Sequence, residues 1–120
     1  MDARIKIVPS SQSVRVELDG VTLAESTQVT LLYETGLPVR YYFPKSDVQM
    51  DLLTPTEHST RCPYKGKASY WSVSVQGTTY ENLAWAYESP VPGAEGIAGL
   101  VAFYNEKTDI YVDGALEERP

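Results

Sequence analysis

One cysteine (Cys62) and one histidine (His58) are all the thiol and imidazole chemistry this chain contains. A single cysteine closes no intrachain disulfide, and one Cys with one His cannot build a structural zinc site of the usual all-Cys/His kind. Only a carboxylate-rich hard-metal site stays open, so no zinc and no other cofactor is expected. Basic charge is also scarce. Ten Lys and Arg stand against sixteen Asp and Glu, a net charge of −6, which opposes the counterion release behind non-specific nucleic-acid binding. Long apolar runs are missing as well: the longest mostly apolar stretch, Ile97 to Tyr104, is far below the roughly 20 residues of a membrane-spanning helix. The start, Met1 to Lys6, reaches Val8-Pro9-Ser10 before a secretory apolar core can develop. These absences read as a cytoplasmic chain with neither nucleic acid nor membrane as partner. Phosphate-cradling glycine loops, H-E-x-x-H and G-x-S-x-G are absent too, which removes the common nucleotide, zincin and hydrolase signatures.

What is present is alternation. The 120 residues are 42% hydrophobic, enough for one core and too few for two ordinary domains, so 1–120 reads as a single β domain with its core over about 14–114 and a charged tail at 115–120. Val14 to Leu18 alternates with period two, Asp19-Gly20 follows, and Val21 to Leu23 resumes, a strong hairpin signal. Gln28 to Glu34 and Val39 to Phe43 form a second hairpin around Gly36 and Pro38. With an odd loop Glu34 faces Arg40 across the ladder, and with an even one it does not. Ser46 with Gln49 gives a capping-box pattern, and Val48 with Leu52 a helical spacing, so a helix of about two turns is expected before Pro55. Ala68 to Val75 is the clearest strand, turned by Gln76-Gly77, and Asp109 to Val112 is the last. Eight or nine short strands with one short helix predict an all-β sandwich or partly open barrel.

The second half repeats the first. Shifted by 57 positions, Val14, Val16, Leu18, Gly20 and Leu23 fall on Trp71, Val73, Val75, Gly77 and Tyr80. After a three-residue deletion Leu31, Tyr33, Glu34 and Pro38 fall on Trp85, Tyr87, Glu88 and Pro92, and a six-residue insertion brings Phe43 onto Phe103. This order predicts two pseudo-equivalent β units facing one continuous core, since a stacked solenoid needs about three repeats.

Between the halves, Thr54 to Tyr70 reads as a bridging loop in which the reactive residues gather. Cys62 is a nucleophile if Arg61, Lys65 and His58 favour its thiolate, or an inert packed thiol if they do not. Lys65, between Tyr64 and Gly66, is an anion ligand or a base, or else a surface lysine with its stem over Tyr64. His58 is a general base or a turn cap. Glu34 and Arg40 form a structural pair or line a site. Trp85 and Tyr87 are a ligand wall or plain core.

Tyr42-Phe43-Pro44 with Asp47-Val48, His58 and Thr60 before Cys62-Pro63-Tyr64-Lys65-Gly66, Ala68-Ser69-Tyr70-Trp71, Trp85-Ala86-Tyr87 with Pro90, Ile97-Ala98-Gly99 with Phe103-Tyr104, and Val112-Asp113-Gly114 together carry a resemblance. Over about Val14 to Gly114 the chain resembles domain-of-unknown-function family four-two-seven, which also carries a nucleotidyltransferase-like label. The resemblance implies a tent-like all-β fold in which two sheets lean together and are open at one end, a shape shared with several zinc-containing domains. The paired cysteines of those zinc sites are missing here, so no metal carries over. An all-β chain without a paired-aspartate metal motif gives the label no chemistry either.

Three functions remain. The first is a small-molecule binding module whose ligand meets Arg40, Tyr41, Cys62, Lys65, Trp85 and Tyr87. The second is a small transferase- or hydrolase-like enzyme with Cys62 or Lys65 as nucleophile and His58 or Glu34 as base. The third is an interaction domain, including a homo-oligomer formed through a sheet edge.

Overall fold

A computed structural model describes residues 4–120. Residues 1–3, on which part of the leader reading rests, lie outside the described residues. Among the described residues eleven strands form two antiparallel sheets that do not close into a barrel. β1 (Ile5–Pro9), β4 (Thr30–Glu34), β5 (Arg40–Phe43), β6 (Leu53–Cys62), β7 (Gly66–Val75), β8 (Thr78–Ala86) and β9 (Val101–Phe103) make the larger sheet, in the order β1-β4-β5-β9-β8-β7-β6. β2 (Val14–Leu18), β3 (Val21–Ser26), β10 (Asp109–Val112) and β11 (Ala115–Leu116) make the smaller one, in the order β11-β10-β2-β3. The predicted all-β class holds, and no described helix is long and apolar enough to cross a membrane.

Period-two alternation sorts the side chains. In β2, Val14, Val16 and Leu18 are buried while Arg15 and Glu17 are half-buried, and the buried set meets Leu31, Phe43, Val73, Val101 and Phe103 of the larger sheet. A second apolar cluster covers the opposite face of the larger sheet. There Leu32, Tyr42, Tyr70, Trp85 and Tyr87 pack beneath Ile97, which belongs to the 3₁₀ turn Glu95–Ile97. Both Asp19-Gly20 and Gln76-Gly77 have positive φ at both residues, the requirement of a tight hairpin turn matched to strand twist.

Two expectations change. The short helix is realised as two 3₁₀ turns, Lys45–Asp47 and Met50–Leu52, neither with a side-chain cap bond. Val48 between them is extended, bridges to Ala24 and inserts into the core, so tertiary burial overrides the local helix signal. The bridging stretch is no loop. It is the β6–β7 hairpin, and Pro55 is tolerated because β6 is an edge strand with its register irregular between Pro55 and Ser59.

The repeat acquires a geometry. β5 and β9 pair at the middle of the larger sheet through Tyr42↔Ala102 and Phe43↔Val101. The proposed match of Phe43 to Phe103 makes Tyr42↔Ala102 self-equivalent, so a pseudo-dyad passes through that pair. The flanking registers, Thr30↔Tyr42 and Trp85↔Ala102, then relate Trp85 to Thr30 rather than to Leu31. Leu31 and Trp85 lie in different clusters, so the alignment is one residue out there, a slip that reverses the face. Val14 and Leu23 of the smaller sheet share one core with Trp71 of the larger, and Tyr80 packs against it.

Candidate functional site

Strand parity brings a set of polar groups to the outer face of the larger sheet. Arg40 pairs across the ladder with Leu32, so Arg40, Leu32 and Glu34 share a face, as Tyr42 does with Arg40. On the neighbouring strands the same face presents Trp85 and Tyr70, which are themselves paired in register. Lys65 arrives from the β6–β7 turn. Its amide donates to the Cys62 carbonyl at 3.2 Å, and its own carbonyl accepts from Val91 N–H at 3.0 Å. That second bond ties the turn to the segment after β8, and it requires Gly66. At φ +120° a Cβ there would lie 3.3 Å from the Val91 backbone nitrogen.

Of these groups, Glu34, Arg40, Lys65, Tyr70 and Trp85 line a cleft of about 150 Å³. Its walls are the rings of Tyr70, Trp85, Tyr87 and Tyr104, its rim is Leu37 and Pro38, and its charges are Glu34, Arg40 and Lys65. Lys65 Nζ donates to Glu34 Oε1 at 2.6 Å, with only 10% and 9% of the two side chains exposed. The same ammonium lies 5.5 Å from the Tyr87 ring centre. Arg40 donates through Nη1 to Asn105 Oδ1 at 2.8 Å and to Glu106 Oε1 at 2.7 Å, and through Nη2 to Glu106 Oε2 at 3.2 Å. Its guanidinium also stands over Trp85 and Tyr104, at 5.3 and 5.5 Å from their ring centres. Trp85 Nε1–H donates to the Tyr42 hydroxyl at 3.0 Å, and the Tyr70 and Thr60 hydroxyls are 2.9 Å apart. Among the described residues no buried side-chain nitrogen or oxygen lacks a partner.

The phenols register this environment. Burial, then hydrogen bonding to Tyr70 and its charge, raises Tyr104 to about 12. Burial likewise pushes Tyr42 and Tyr87 well above the ordinary phenol value. Glu106 moves the other way, its carboxyl held below the usual carboxylate range by the hydrogen bond from Arg40.

Of the residues singled out from sequence, Glu34, Arg40, Lys65, Trp85 and Tyr87 come together in the cleft. Tyr41, Cys62 and His58 do not line it. Tyr41 faces the inter-sheet core and donates to Glu117 Oε1 at 3.2 Å; alternation alone puts it on the face opposite Arg40. Cys62 ends β6 half-buried, with Lys65 Nζ committed to Glu34 and Arg61 exposed. His58 is exposed on the edge strand, its ring edge-on to Tyr70 at 4.5 Å. The Glu34–Arg40 pair is not made, because each takes another partner. Lys65 lies over Tyr87 rather than Tyr64, which is exposed. Tyr70, Tyr104, Asn105 and Glu106 were missed. Parity within Ala68–Val75 marks Tyr70, whereas nothing in the polar run Asn105-Glu106-Lys107 marks the partners of Arg40.

Residues 6–114 match the family model described as domain of unknown function (DUF427). The chain belongs to this family. The DUF427 match runs from within β1 to just past β10 and so includes every residue that lines the cleft. No curated protein matches the chain.

Proposed function

We propose that this DUF427 protein is a small-molecule binding module whose ligand is a single planar ring held in the aromatic cleft. The observation that carries the reading is the cleft's combination of four rings with three fixed charges in about 150 Å³. A cavity of roughly that size accommodates one benzene ring, and apolar walls with a few convergent polar groups are the usual form of a ligand site. Arg40, Lys65, Trp85 and Tyr87 are the contact residues in this reading. Tyr70 and Tyr104 complete the walls, and Glu34 fixes Lys65. The cytoplasm is the setting, which an acidic chain with one unpaired cysteine suits.

Titration of ¹⁵N-labelled protein with single-ring aromatic compounds tests this. Binding should move the Trp85 Nε1–H signal and the amides of Leu37 and Lys65, and Trp85→Ala should abolish it. Shifts confined to the face that holds Tyr41, or affinity unchanged in Trp85→Ala, would overturn the proposal.

A further inference from the structure

We infer that the ring bound in the cleft carries a carboxylate, and that the Glu106 carboxylate holds that group's place on Arg40 until the ligand displaces it. The inference rests on the binding reading above and adds the ligand's charge and the exchange that admits it.

The two ion pairs made by residues that line the cleft differ in what it takes to open them. Glu34 and Lys65 are each about nine-tenths buried, so a ligand that separated them would strand a charge away from water. Arg40 has a different kind of partner. Only 12% of its side chain is exposed, but Glu106 is 37% exposed and sits on the 3₁₀ turn Asn105–Lys107. A released Glu106 regains hydration by turning into solvent. Arg40 meanwhile stays oriented by Asn105 Oδ1 and by the rings of Trp85 and Tyr104. The displacement therefore swaps one carboxylate for another on a fixed guanidinium.

Glu106 also displays the shape that fits. It accepts one bond from each terminal nitrogen, at 2.7 and 3.2 Å, the forked pairing in which a planar carboxylate matches arginine. Charge selects in the same sense. With Glu106 displaced, the charged lining groups Glu34, Arg40 and Lys65 leave a single positive charge in excess, which one ligand carboxylate neutralises. A cationic ligand would find the faces of Trp85, Tyr104 and Tyr87 already taken by Arg40 and Lys65.

The test titrates the full chain and its Glu106→Gln variant with benzoate and with benzamide, which match in ring and size and differ in charge. Removing the competing carboxylate while keeping its shape should tighten benzoate about two- to fivefold, the range of a partly screened ion pair, and leave benzamide unchanged. Benzoate should also shift the Arg40 Nε–H signal. Benzamide binding with no gain for benzoate overturns the exchange and leaves ring binding intact. An equal gain for both compounds overturns it too, since the variant would then have opened space rather than freed a charge. If neither compound binds either protein, the exchange and the binding reading fall together.

Discussion

Replacing Lys65 with methionine removes the ammonium and keeps most of the stem, so it isolates the buried charge pair. Glu34 would be left as a carboxylate with 9% of its side chain exposed, having lost a 2.6 Å charge-assisted bond. Breaking one side of a buried pair costs about 3–5 kcal/mol, a large part of the roughly 5–15 kcal/mol that separates a domain from its unfolded state. With a urea slope of about 1–3 kcal/mol per molar, the unfolding midpoint should fall by roughly 2 M. The double variant Lys65→Met with Glu34→Gln should recover most of the loss, because a buried pair gives little net gain over a neutral, well-packed replacement. Urea unfolding followed by circular dichroism on the four proteins of the cycle measures the coupling. A loss below about 1 kcal/mol for Lys65→Met, the range of solvent-screened pairs, would refute the claim that this pair is held away from water.

Gly66→Ala places a Cβ 3.3 Å from backbone at a φ of +120° and should lower stability by about 1–3 kcal/mol. Gly114→Ala, also at positive φ but with nothing within 4 Å, should lose less, and equal losses in thermal melts would show that the close approach to Val91 has no weight. In alkali, Tyr41 and Tyr104 are both raised to about 12, mainly by burial. Raised folded values mean that their contribution is complete below the unfolded phenol value of about 10 and is lost as pH rises through about 12. Stability should therefore decline across that window, and Tyr104→Phe should flatten the decline; an unaltered slope in that variant would count against burial of its hydroxyl.

Strands whose two faces differ were legible in the sequence. Val14 to Leu18 declares itself because burial on one side imposes a period of two, and Ala68 to Val75 reads as a strand through its residue types, although Tyr70 to Val73 are buried on both faces of the sheet. β6 was not legible: it is an edge strand with most of its side chains exposed, so it has no alternation to read, and Pro55 argues against a strand. The helix over Ser46 to Leu52 was overread, since the bridge from Val48 to Ala24 is a long-range contact that no local pattern encodes. The same limit applies to the ion pairs. Glu34 and Arg40 looked like partners because they are near in sequence, yet the structure gives each a partner at least 31 positions away. Tyr41 was placed on the wrong face, since parity with Arg40 assigns that face to Tyr42.

The pseudo-dyad has a kinetic corollary. Hydrogen bonding between the two halves at the middle of the larger sheet comes down to the two residue pairs that join β5 to β9. Around this seam, Trp85 bonds to Tyr42, Arg40 to Glu106 and Lys45 to Glu88, each contact reaching from one half to the other. Amide exchange at Tyr42 and Ala102 should therefore proceed by local parting of the halves rather than by fraying from the sheet edges. A molecule seated in the cleft touches both sides of the seam at once, on Arg40 and on Trp85. It would slow exchange at the centre of the sheet while leaving β6 and β11 at the edges as they were.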